Sequence, residues 1–200
     1  MLFYHSPRAC SQAAHIMLYE TRQVFEAVRV DIPTRETETG ESLTDINPKG
    51  YVPALRLDDG SLLTENVAIL DWLAQQRADL APAGAMGRTR QIEMLAFLST
   101  EIQKPFVRLM FEENAERQAE IAGILRQRFA LLAARIQDGH LFGDAFTASD
   151  AFLYVMLAWA RMFGVDPGEG FIPYIRRLEM RPAIRDALRA EGVAPMELAA

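Results

Sequence analysis

A mixed α/β unit followed by an all-helical one is the fold class this sequence predicts, on three observations. The first 77 residues alternate strand and helix signals. Residues 78–87, "ADLAPAGAMG", then break the pattern with Pro82, Gly84 and Gly87. After that break no strand signal appears. The division reads as 1–77, a linker at 78–87, and a helical domain at 88–200.

Leu2 to His5 is short, apolar and aromatic, as a buried strand is. Ser11 to Thr21 places Ala14, Met17 and Leu18 on one helical face, with Ser11 in position to cap its start. "EAVRVD", residues 26–31, alternates with the period of a strand. Residues 33–44 are polar and unpatterned, which predicts a loop with at most one helical turn. "VPALRLDDGSLLT" is two short strands around Asp59-Gly60, a hairpin signal. "ENVAILDWLAQQ" has Val67, Leu70 and Leu73 at helical spacing. The order β-α-β then β-β-α predicts a four-stranded mixed sheet with helices on its faces.

The helical part predicts long helices over 88–113, 115–137 and 147–163, and two short ones in 171–190 around Arg181-Pro182. Pro105, inside the first, removes a backbone donor and should kink it. Thr147 and Asp150 have the spacing of a capping box. The stretch after them, "AFLYVMLAWA", is apolar nearly all round and predicts the buried central helix.

Composition excludes several function classes. The formal net charge is −6 with basic residues scattered, which argues against a nucleic-acid partner. No apolar run reaches the ~18 residues of a membrane span, and no signal peptide is evident. One cysteine makes no internal disulfide, and three histidines without a Cys/His cluster argue against a metal site. The cytoplasm is the expected compartment.

The chemistry then falls to three places. Cys10 is the only cysteine and starts a helix, where partial positive charge favours a thiolate. Arg8 adds charge if it turns inward, and a pKa below the usual ~8.5 is expected. A small buried apolar role is the plain alternative for a free cysteine. Val52-Pro53 precedes a strand: it is either an edge-strand start or a cis-proline turn that offers the Val52 backbone to a peptide-like ligand. Glu65-Asn66 opens a helix, whose N–H groups suit a carboxylate while the neighbouring acid suits an ammonium. His5, His15, His140 and Tyr4 read as structural; Met86, Met94, Met110, Met156, Met162 and Trp159 are most simply core, with the alternative that some line an apolar pocket for a second substrate.

"SPRACS", "NPKGYVPAL", "LDDG", "LLTEN" and "FTASDAF" together resemble the glutathione transferases, and Cys10 resembles the bacterial beta class. The resemblance implies a thioredoxin-like first domain, an all-α second domain and a homodimer. It implies glutathione as co-substrate, with Cys10 near its sulfur and Ser11 as the fallback hydroxyl. It also implies Val52 pairing with the cysteinyl backbone after Pro53, Glu65 and Asn66 at the γ-glutamyl end, and Arg35 at the glycyl carboxylate. Gln103 and Lys104 stand on the second-substrate side, with Gln103 where the family has histidine and Ala96 where it has asparagine. Glutamine does not shuttle a proton near neutral pH, so weaker conjugation is implied. Thiol conjugation to an electrophile or thiol-disulfide exchange is the expected activity. A glutathione-dependent thiol reductase and a non-catalytic ligand-binding protein are the rival readings.

Overall fold

The computed structural model describes residues 1–136 and 139–196. Five strands form one sheet among these residues: β1 (Leu2–His5), β2 (Glu26–Asp31), β3 (Glu36–Thr37), β4 (Ala54–Arg56) and β5 (Leu62–Thr64). Their order is β3-β2-β1-β4-β5, with β1 and β2 parallel and every other pair antiparallel. The expected sheet had four strands. The fifth, β3, is two polar residues long and pairs with Val30 and Asp31 at the edge, too short to show a period of two. A short helix, α2 (Leu43–Ile46), follows it. The β4–β5 hairpin turns at Gly60, whose φ of +85° glycine adopts without strain.

Two helices complete this part, α1 (Ser11–Glu20) and α3 (Asn66–Ala74). Ser11 does not cap α1. The N-cap is Cys10, and the Ser11 hydroxyl instead donates to Ser6 O and accepts from Ser6 N–H, both at 3.2 Å. Being one residue inside the helix turns that hydroxyl back onto the preceding turn.

The helical part comprises α4 (Gly87–Phe97), α5 (Lys104–Phe111), α6 (Ala115–Ala133), α7 (Ala148–Met162), α8 (Phe171–Glu179) and α9 (Pro182–Glu191). The predicted helix over 88–113 is interrupted by a π-helical turn at Leu98–Gln103, directly before Pro105. Proline has no N–H to give the preceding turn, and the wider turn takes up the mismatch. The predicted helix over 115–137 ends at Ala133, and Gln137 lies outside the described residues.

The capping box of α7 forms as expected. Asp150 accepts from the Thr147 N–H at 2.8 Å and its hydroxyl at 2.7 Å. Its second oxygen accepts from Leu141 N–H and the Tyr174 hydroxyl, both at 2.8 Å, so one carboxylate also pins the preceding loop and α8. The helix is buried along nearly its whole length.

A single apolar cluster runs from Phe3 through α1 and α3 into α7 and α9. Helix α1 packs on α3, α7 and α9. It is therefore the shared wall between the sheet and the helices. The sulfur-bearing residues divide. Met94 and Met156 are buried with Trp159, as a core role requires, whereas Met86, Met110 and Met162 are exposed. Met110 and Met162, with Trp159, line a cavity, the alternative role, and only Met86 has neither.

Candidate functional site

A cavity of about 840 Å³ opens where the two parts meet. Its sheet side is built from the β1–α1 loop, the turn at residues 50–53 and the start of α3. Its helical side is one face of the π turn and α5, carried by Ser99, Gln103, Val107 and Met110, with Trp159 and Met162 from α7. Cys10, Val52, Pro53, Glu65, Asn66, Gln103 and Lys104 all line it. The sequence separates these seven residues widely, and the fold brings them around one space.

The Val52–Pro53 bond is cis. The Cys10 thiol lies 3.7 Å from the Val52 carbonyl, toward which its S–H donates. Burial pushes this thiol up to about 11. A hydrogen bond from Gln103 and the backbone N–H groups of Cys10 and Ser11 act the other way, and the charge of Glu65 adds to the rise. The expected lowering is therefore reversed. Loss of solvent around sulfur outweighs the helix end, and the counteracting groups are Gln103 and backbone rather than Arg8. In the free protein Cys10 is a neutral thiol at neutral pH.

Glu65 holds a φ of +70°, a strained conformation for a side-chain-bearing residue. Its carboxylate accepts from Lys49 Nζ at 2.5 Å and from the Tyr51 hydroxyl at 3.3 Å. Asn66 follows as the first residue of α3. Its side chain is 7 % exposed and its Oδ1 and Nδ2 have no hydrogen-bond partner among the described residues. A buried amide in that state costs free energy until something meets it.

The remaining candidates lie apart from the cavity lining. Ser11 is buried and engaged with Ser6. Arg35 is exposed, at a φ of +61°, and its guanidinium lies beside Gly50 at the edge of the 50–53 turn. Tyr4 is buried in a small cluster with Val28, Leu43 and Val52. Sequence reasoning missed Lys49 and Tyr51, the partners of Glu65. Both lie inside "NPKGYVPAL", and only the fold carries them 14–16 residues along the chain to the start of α3.

Outside the cavity lining, where α9 packs on α1, lies a polar group the sequence did not announce. Glu191, the last residue of α9, accepts from Gln12 Nε2 at 2.8 Å and from the Arg8 backbone N–H at 3.2 Å. His15 Nδ1 is 2.9 Å from its other oxygen and His5 Nδ1 is 3.6 Å from the same atom. An ionised carboxylate only accepts, so the His15 proton sits on Nδ1. Burial works against the charge of Glu191, yet the hydrogen bonds from His15 and Gln12, with the His5 ring close by, outweigh it and hold the acid down at about 2.

Residues 7–76 match the family model for the glutathione S-transferase N-terminal domain, and residues 115–190 match that for the C-terminal domain. Glutathione S-transferase GstA of Escherichia coli O157:H7 is 36% identical, covering 96% of this chain and 100% of that protein. A sphingomonad glutathione S-transferase solved in complex with glutathione is 42% identical with a TM-score of 0.90, over 97% of this chain and 100% of that one. A bacterial beta class enzyme from Sphingomonas chungbukensis is 40% identical with the same TM-score and coverage.

Proposed function

The chain belongs to the glutathione S-transferase family, and on that premise we propose that glutathione lies between the Val52 backbone and the start of α3. Its γ-glutamyl group meets Glu65 and Asn66, and its sulfur sits beside Cys10. The activity is that of a glutathione transferase-like enzyme, with glutathione as co-substrate.

One observation carries the assignment of residues: Asn66 lines the cavity, and its buried side-chain amide has no hydrogen-bond partner among the described residues. An amide with both atoms free suits a ligand group that both donates and accepts, as the ammonium and carboxylate of an amino-acid end do. The exposed N–H groups at the start of α3 add to the carboxylate's attraction. Lys49 and Tyr51 hold the Glu65 carboxylate in place for the ammonium. Residues 1–77 are the glutathione-binding domain in this reading, and 88–200 carry the second substrate's wall.

Cys10 acts as a donor. A neutral S–H that turns from the Val52 carbonyl to the glutathione sulfur stabilises the developing thiolate of the ligand through a charge-assisted hydrogen bond. This makes conjugation by the glutathione thiol the leading activity, ahead of disulfide exchange at Cys10, which draws on a thiolate that burial disfavours.

Calorimetry tests the site. Glu65→Ala and Asn66→Ala should each weaken glutathione binding by about 1.5–3 kcal/mol, the range for a hydrogen bond to a charged group. Unchanged affinity in both would remove these residues from the site.

We assign a homodimer in the cytoplasm. The helical part leaves Phe111 77 % exposed, with Ile124 and Leu131 also open, more apolar surface than an isolated subunit keeps comfortably. A monomer by sedimentation at micromolar concentration would refute the pairing.

A further inference from the structure

The second-substrate side of the cavity is apolar and cationic at once. Val107, Met110, Trp159 and Met162 supply the apolar surface. Arg8 and Lys104 line the same space, and neither side chain has an acidic partner among the described residues. The one acidic residue in the lining is Glu65, at the other end and held by Lys49. Among the described residues, a chain of net charge −6 thus keeps two cations without an acidic partner, and no acid, on this wall.

Arg8 is also built into place. It sits at a φ of +62°, a conformation that costs a side-chain-bearing residue free energy. Two hydrogen bonds hold it there. Its N–H donates to Glu191 at 3.2 Å, and its carbonyl accepts from Trp159 Nε1 at 2.8 Å. Both backbone groups are thus fixed by buried partners, while the residue itself stays exposed and lines the cavity. Lys104 lines the same cavity from the first turn of α5, directly after Gln103.

We propose that the second substrate is an apolar electrophile carrying a carboxylate, and that Arg8 and Lys104 are the specificity-determining residues that bind that carboxylate. The inference rests on the glutathione site proposed above and names the substrate class for it. Two cations on an otherwise apolar wall attract an anion and impose a desolvation cost on a neutral polar group in its place. An aryl chloride of this class would react in balance. The glutathione sulfur bonds the ring carbon, the carbon–chlorine bond breaks, chloride leaves and the thiol proton passes to solvent.

The test is calorimetric and independent of turnover. Two conjugates are compared, S-(4-carboxy-2,6-dinitrophenyl)glutathione and its methyl ester, with glutathione itself as reference. The acid should bind the wild-type protein at least about fivefold more tightly than the ester, which by the usual relation is about 1 kcal/mol. The advantage should shrink to under about twofold in Lys104→Gln and in Arg8→Gln, and with added salt. Lys104 is exposed, so its variant keeps the test decisive if Arg8→Gln fails to fold. Equal affinities, or a tighter ester, while glutathione binds, would overturn the inference alone. Failure of glutathione itself to bind would overturn the proposed site and this inference with it.

Discussion

Two ionisable groups at helix α1, one at its N-cap and one packed against it from α9, face the same physical problem and answer it oppositely. Burial disfavours charge on both Cys10 and Glu191. Glu191 has donors from Gln12 and the Arg8 backbone on one oxygen and two histidines at the other, so it stays ionised and falls to about 2. Cys10 has one side chain, Gln103, and backbone N–H groups, so desolvation wins and the thiol rises to about 11. Burial sets how much is at stake, and the count of donors sets the sign. The Glu191 arrangement is complete within the chain. The Cys10 arrangement, like Asn66 beside it, is left open on the side where a ligand enters.

The largest expected effect comes from breaking the complete side. Glu191→Ala leaves Gln12, His15 and the Arg8 N–H without their acceptor, in a region where α9 meets α1. Each buried donor left without its acceptor costs about 1–3 kcal/mol, so the loss should be about 3 kcal/mol or more. Urea unfolding should show that loss, and a cost under about 1 kcal/mol would mean solvent reaches the cluster and replaces the carboxylate. His15→Ala should cost less, because Glu191 keeps its other donors.

Acid should undo the same cluster without mutation. The folded pKa of Glu191 is depressed, about 2 against an ordinary 4.5. Its stabilisation is therefore fully present above about pH 4.5 and is lost as the pH falls toward 2. The loss is on the order of 3 kcal/mol over that window. Glu191→Gln should flatten this part of the stability profile. An unchanged acid limb in Glu191→Gln would assign the sensitivity to other carboxylates.

The contrast also explains what the sequence made legible. Helices with long apolar faces or capping signals, such as α7 with Thr147 and Asp150, were readable because their cause is local. So was the Asp59-Gly60 hairpin, which two adjacent residues define. The two-residue edge strand β3 was not, because pairing with β2 makes it a strand and no local pattern does. The site divides the same way. Cys10, Val52 and Glu65 were marked by position next to helix starts or proline. Lys49 and Tyr51 meet Glu65 only through tertiary folding, and Gln12, His15 and Glu191 are 176–179 residues apart in pairing. The sign of the Cys10 shift was misread for the same reason: helix position is visible in sequence, but the loss of solvent around a sulfur is not.

The open side is tested by reactivity. A thiol held at about 11 carries on the order of several hundredfold less thiolate at neutral pH than one at the ordinary ~8.5. Alkylation of Cys10 by a small reagent should be slow and should keep rising about tenfold per pH unit through pH 9. A plateau below that pH would mean that the thiol is already ionised, and would restore the helix-end argument for a thiolate nucleophile.

The smallest effect belongs to Gln103, and it shows most directly how donors decide the sign. Its side chain is the first of the groups that oppose the rise of the Cys10 thiol. It stands at the end of the π turn, where the wider helix meets the cavity beside Lys104. Gln103→Leu removes that single hydrogen bond and fills a similar volume with apolar surface. A neutral hydrogen bond is worth about 1 kcal/mol, so the thiol should rise by under about one pH unit further. Alkylation at fixed pH should therefore slow by a factor of a few, up to about tenfold. Gln103→His should move the rate the other way below the histidine pKa, because a cation near sulfur favours the thiolate. If both variants alkylate at the wild-type rate, Gln103 does not reach the sulfur, and the backbone N–H groups of Cys10 and Ser11 alone offset its burial.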